Sequence, residues 1–116
     1  MNKNKESTRY YSDLQESYVS KLLNCYRQSN SGAGKFNKGD LINKDASLLI
    51  ECKTCVSNKD SFSVKKEWLT KNKEEKHSMR IENDCIAFNF GPNSENYFII
   101  DEKLMKFLVS KLAEEY

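Results

Sequence analysis

The sequence predicts an α/β domain: a central mixed sheet of about four or five strands flanked by helices. Three observations carry this. A segment with helical periodicity opens the chain, two pairs of short β-rich runs follow, and a charged helical stretch separates the pairs. A last amphipathic stretch closes it.

From about Ser12 to Gln28 the residues Gln15, Val19, Leu22, Leu23 and Tyr26 recur at three- and four-residue intervals, which predicts a first helix with Ser12 as its N-cap. Residues 29–39 are too rich in Gly, Ser and Asn for regular structure and predict a loop, the kind of segment where function often sits. Two strands are expected at Asp40–Asn43 and Ser47–Thr54, with Lys44-Asp45-Ala46 turning between them as a hairpin. A second helix is expected over Val64–Ser78, with Trp68 and Leu69 on an otherwise charged and mostly exposed cylinder. The runs Cys85–Phe90 and Tyr97–Ile100 read as further strands, separated by the loop composition of residues 91–95. Asp101 then caps a last helix built on Leu104, Phe107, Leu108 and Leu112.

The chain of 116 residues is the size of one domain, and neither repeats nor low-complexity blocks mark a linker. We expect a single domain over 1–116, with residues 1–11 as a flexible basic N-terminus. Apolar residues at 38% and charged residues at 31% fit a globular protein and exclude disordered or membrane-embedded classes. No run approaches the ~18 apolar residues of a membrane span. No hydrophobic stretch follows the basic start as a secretory signal requires, so a cytoplasmic location and free thiols at Cys25, Cys52, Cys55 and Cys85 are expected.

The net charge of +2 says little, but its distribution says more. Residues 27–59 hold six Lys or Arg against three acids, and residues 65–80 again six against three. Residues 82–116 hold three Lys against seven acids. A positive middle suits a phosphate backbone; a solvated charged surface is the ordinary alternative.

Alternation along the second strand sets Leu48, Ile50 and Cys52 on one face and Leu49, Glu51 and Lys53 on the other. Asp40, at the start of the preceding strand, brings a second carboxylate beside Glu51 if the hairpin pairs in register. Two such carboxylates suit Mg²⁺, a hard ion that takes oxygen ligands and keeps several waters. Glu16 lies within about 60° of the apolar stripe of its helix and leans toward the core side, where it needs a partner.

The spacing of Asp40, ten residues, then Glu51-Cys52-Lys53 resembles the signature of the PD-(D/E)XK nucleases, and within them the archaeal-type Holliday junction resolvases. The resemblance runs over most of the chain. A Glu precedes a Leu-Leu pair in the first helix (Glu16, Leu22-Leu23), and a Ser/Gly-rich segment runs from Ser29 into Asp40. A strand ends in Ile50-Glu51-Cys52-Lys53, followed by a basic helix around Val64–Lys76 and the strand Cys85–Phe90. Gly39 stands where the family's name has Pro, at a position that varies among such enzymes.

The resemblance implies a restriction-endonuclease-like core and hydrolysis of DNA phosphodiesters leaving 5′-phosphate and 3′-hydroxyl ends. It implies Asp40 and Glu51, with Glu16 and the backbone carbonyl of Cys52, as ligands of Mg²⁺, with Mn²⁺ as a substitute. Lys53 would orient or deprotonate the attacking water and offset charge on the phosphate. It further implies branched DNA in recombination or repair as substrate and a homodimer presenting two sites. Lys35, Lys38, Lys65 and Lys66, with Lys71, Lys73 and Arg80, are candidate phosphate contacts. A duplex, nicked or flap nuclease, or a silent DNA-binding module, fits the same scaffold.

Other motifs weigh less. Cys52-Lys53-Thr54-Cys55, with Cys85 and His77 or Cys25, has the composition of a zinc site, but no second Cys-x-x-Cys completes it, and a small buried thiol explains Cys52. Gly32-Ala33-Gly34-Lys35 resembles the end of a P-loop, but Phe36 stands where a Mg²⁺-binding hydroxyl belongs. His77 and Trp68, with Tyr10, Tyr11, Tyr18 and Tyr26, receive no role from sequence.

Overall fold

A computed structural model describes residues 3–28 and 41–116, with side chains from Thr8 onward. Its elements are α1 (Lys3–Leu22), β1 (Tyr26–Arg27), β2 (Leu41–Asn43), β3 (Leu48–Lys53), α2 (Lys66–Ser78), β4 (Asn83–Phe88), β5 (Tyr97–Ile99) and α3 (Glu102–Glu115). The five strands form one mixed sheet in the order β1-β2-β3-β4-β5. β1, β2 and β3 are an antiparallel meander, β4 runs parallel to β3 after the α2 crossover, and β5 returns antiparallel. The α/β class and the mixed sheet flanked by helices hold.

The first helix differs from expectation at both ends. It begins at Lys3, through most of the segment expected to be a basic tail, and Ser12 lies in its interior rather than at an N-cap. It stops at Leu22 because Asn24 takes a left-handed backbone (φ 55°), closed by the bond from Cys25 N to Ser20 O at 2.8 Å. Asn tolerates that conformation better than other side chains, and the six-to-one bond satisfies an orphan carbonyl. The turn redirects Tyr26 and Arg27 into β1, a strand that the helical periodicity concealed.

In the β2–β3 hairpin the Asn43 side chain accepts from Ala46 N at 2.8 Å, and Ser47 occupies the left-handed region (φ 48°). Leu41 is thereby paired with Ile50, and Ile42 with Leu49. Downstream, Asp101 caps α3 as expected, accepting from Leu104 N at 2.9 Å. Gly91 (φ 135°) lets the chain press against residues 57 and 58, where a Cβ would lie 2.7 Å from the Asn58 backbone.

The sheet is covered on both faces. On the α1 side Val19, Leu41, Ile50, Cys85 and Ala87 form the core, with Leu23, Cys25, Cys52 and Ile100 against it. On the α2 side Leu49 and Ile86 are buried, but so are the polar Asn72 and Asp84. Cys52 therefore faces the core, opposite to Lys53. α3 buries none of its residues. Among the described residues no helix is long and apolar enough to cross a membrane.

Candidate functional site

β3 brings Glu51 and Lys53 to one face, the face covered by α2, where they stand opposite Ile86 and Phe88 of β4. The Lys53 ammonium lies 4.5 Å from the centroid of the Trp68 ring. Such a distance is a cation–π contact, which attracts the charge to the ring's negative face. Trp68 is braced by Phe62 at 5.8 Å, and Phe62 in turn stacks on Phe88 at 4.9 Å. The second helix thus contributes more than a charged cylinder: its one tryptophan, half-buried, forms the seat of Lys53. Lys65 approaches the same ring at 6.0 Å, while Lys65 and Lys66 themselves are exposed at the start of α2.

The main chain at Lys53 is held from the other side. Gln15 of α1, 4% exposed, donates its amide to Lys53 O at 2.9 Å, Ala87 O at 3.3 Å and Asn96 Oδ1 at 3.0 Å. One side chain therefore ties the first helix to the ends of β3 and β4. Sequence periodicity placed Gln15 on the apolar stripe but gave no sign of these partners, all of them 38 or more residues away.

Glu16 is buried as its position predicted, and its partner is Arg27 of β1. Arg27 also donates to Asp13 at 3.1 Å. Burial raises the Glu16 pKa above the ordinary carboxylate value, while the Arg27 guanidinium opposes that rise. Arg27 pairs with Leu41, and Leu41 lies in the α1-side core. Glu16 accordingly meets its arginine on the α1 side of the sheet, whereas Lys53 reaches Trp68 on the α2 side.

Lys73, one of the candidate phosphate contacts, is instead held between two acids, Asp84 at 3.2 Å and Asp101 at 2.7 Å. Asp84 also takes Lys76 at 3.3 Å and the amide of Asn72 at 3.3 Å. This network links α2, β4 and the cap of α3. Nothing in the local sequence foretold it, because the partners meet only across the crossover.

Asp40, Lys35 and Lys38 lie outside the described residues. Among the described residues no three His, Cys, Asp or Glu side chains are placed to hold an ion. Among the described residues the Cys-x-x-Cys pair is therefore not part of a metal-holding cluster, and Cys25, Cys55 and Cys85 are free thiols. Burial pushes the Cys85 thiol up to about 12, consistent with an inert core residue.

Neither the protein-family models, nor the curated proteins, nor the solved structures contain a significant match to this chain.

Proposed function

We propose that the chain is a metal-dependent DNA endonuclease of the PD-(D/E)XK kind, acting on branched DNA such as four-way junctions. The observation that carries this reading is the β2–β3 register. Its described ladder ends with Leu41 opposite Ile50. In our reading one further antiparallel step would set Asp40 across the hairpin from Glu51, with Lys53 two residues on along the same face as Glu51. The order of one helix, three antiparallel strands, a crossover helix and a parallel strand supports the reading, since the resemblance implies such a core.

In this reading Asp40, Glu51 and the Cys52 carbonyl hold Mg²⁺, which when bound supplies charge neutralisation and an activated water. The chain's own residues do the rest. Lys53 offers its ammonium to the scissile phosphate and orients the nucleophile, with its position set by Trp68. Exposed Lys65 and Lys66, and by proposal Lys35 and Lys38, follow the phosphate backbone without reading sequence. Glu16, paired with Arg27, serves here by fixing β1 against α1. A twofold dimer would present two sites to the two strands of a junction, and the reaction would take place in the cytoplasm.

The test is cleavage of a labelled four-way junction beside linear duplex, flap and single strand, with Mg²⁺ or EDTA, for wild type and Asp40→Asn. Paired nicks in the junction, abolished by EDTA and by the variant, are expected. Equal cutting of every substrate keeps the nuclease and removes the junction preference. Tight, salt-sensitive binding without cutting makes the chain a silent DNA-binding module.

A further inference from the structure

Two apolar surfaces of this chain match each other, and among the described residues nothing covers either. The first is a stripe on the outer side of α1, where Tyr10, Leu14, Tyr18 and Leu22 recur every four residues, each between 49% and 59% exposed. Together with residues 91–96 of the loop after β4 it borders a groove of about 960 Å³. The second is a flank of α3: Met105, Leu108, Val109 and Leu112 are between 39% and 54% exposed, and no residue of that helix is buried. α3 takes no part in lining the groove, so the chain does not use one surface to cover the other. Apolar side chains exposed singly are ordinary, whereas rows of them along one side of a helix mark contact sites.

Spacing, length and charge agree between the two. Met105, Leu108, Val109 and Leu112 follow the i, i+3, i+4, i+7 pattern by which an amphipathic helix anchors in an apolar groove. At the helical rise the α1 stripe is about 18 Å long and α3 about 21 Å. Helical periodicity sets Lys111 and Glu115 beside the α3 row, and Arg9 and Asp13 beside the α1 row. With the helices antiparallel, Lys111 comes to Asp13 and Glu115 to Arg9, so both borders carry opposite charges.

From this we infer that the molecule pairs with a second copy of itself, the α3 of each lying antiparallel in the α1 groove of the other. Judged from the exposures above, the two contacts of such a pair would bury on the order of 1,600 Å² in all, the size of a standard stable interface. The exchange is reciprocal, so it closes on a dimer instead of running on as a filament. It would supply the twofold pair that the nuclease reading calls for, yet it is argued without DNA or metal, and its test contains neither.

The test is sedimentation equilibrium of the full chain. Wild type should be a dimer at micromolar concentration. Leu14→Glu in the groove and Leu112→Glu in α3 should each raise the dissociation constant at least about thirtyfold, because each sets an unpaired carboxylate into both contacts. Mixed, the two variants retain one contact that carries neither substitution, so a heterodimer tighter than either homodimer is expected. Both positions are about half exposed, and Tyr18→Glu with Met105→Glu repeats the experiment should either of the first pair lose its helical circular dichroism. A monomeric wild type overturns the inference and leaves DNA cleavage to be judged by its own assay. A dimer left intact by Leu14→Glu overturns it by giving the groove another occupant, and one left intact by Leu112→Glu does the same for α3. Dissociation by each variant with no recovery on mixing also overturns it, since that is the outcome when like helices pair with like.

Discussion

The two faces of the sheet are built from the same strands and differ in almost everything else. On the α1 side, Val19, Leu41, Ile50, Cys85 and Ala87 close an apolar core, and the polar groups there, Gln15 and Glu16, are tied to partners in the strands. On the α2 side the cover is charged and aromatic: Lys53 on Trp68, and Asp84 among Asn72, Lys73 and Lys76. The contrast teaches that alternation along one six-residue strand divides labour, with Ile50 contributing cohesion and Lys53, three positions on, contributing charge.

If that division is real, substitutions on the two faces should separate stability from activity. The largest effect is expected for Lys53→Met, which keeps the aliphatic stem over Trp68 but removes the ammonium. Under the nuclease proposal DNA cleavage should fall by about 10³-fold, with the thermal midpoint little changed. Single-turnover kinetics beside a melting curve would check this, and a parallel loss of fold would break the comparison. Ile50→Ala, on the opposite face, should cost about 2–5 kcal/mol in denaturant unfolding, because a fully buried side chain leaves a cavity.

Two smaller effects sharpen the comparison. Asp84→Ala strands Lys76, which is largely buried, and should cost about 1–3 kcal/mol by the same unfolding assay. Asp101→Ala removes a helix cap and the bond to Lys73, for about 1 kcal/mol.

Acid titration distinguishes the two carboxylates by sign. The Lys73 ammonium, then the Leu104 N–H, hold the Asp101 pKa below its ordinary 3.8, so its contribution is full above that pH and is lost as pH falls through the depressed value. Glu16 runs the other way. Burial raises its pKa above 4.5, so its ionisation opposes folding once the pH climbs past that point. Glu16→Gln should therefore stabilise the protein at pH 7 and lose that gain near pH 4, measured as the difference between the two proteins' thermal midpoints.

Much of this arrangement was legible from residue order. The hairpin, the β3 alternation, the Asp101 cap and the inward thiol of Cys52 all follow from local rules of period and turn chemistry. Element ends were less so: the first helix continues back to Lys3 and halts at Asn24, where a backbone conformation rather than a change in hydrophobic period decides. β1 was hidden for that reason. Long-range partners were not legible at all. Gln15 reads as a stripe residue and Trp68 as an isolated aromatic until the crossover brings residues 53, 87 and 96 to one and residue 53 to the other.

The last helix has a consequence of its own. α3 is fastened at its first turn by Asp101 and exposes Met105, Phe107, Leu108, Val109 and Leu112 along its length. A peptide of 14 residues is a marginal helix in water, for want of enough bonds to offset its nucleation. Its coil and helical forms thus lie close in free energy, and whatever shields that oily flank draws the balance toward helix. Deuterium uptake by the amides of residues 105–112, followed against protein concentration, turns α3 into a built-in gauge of how much company the molecule keeps.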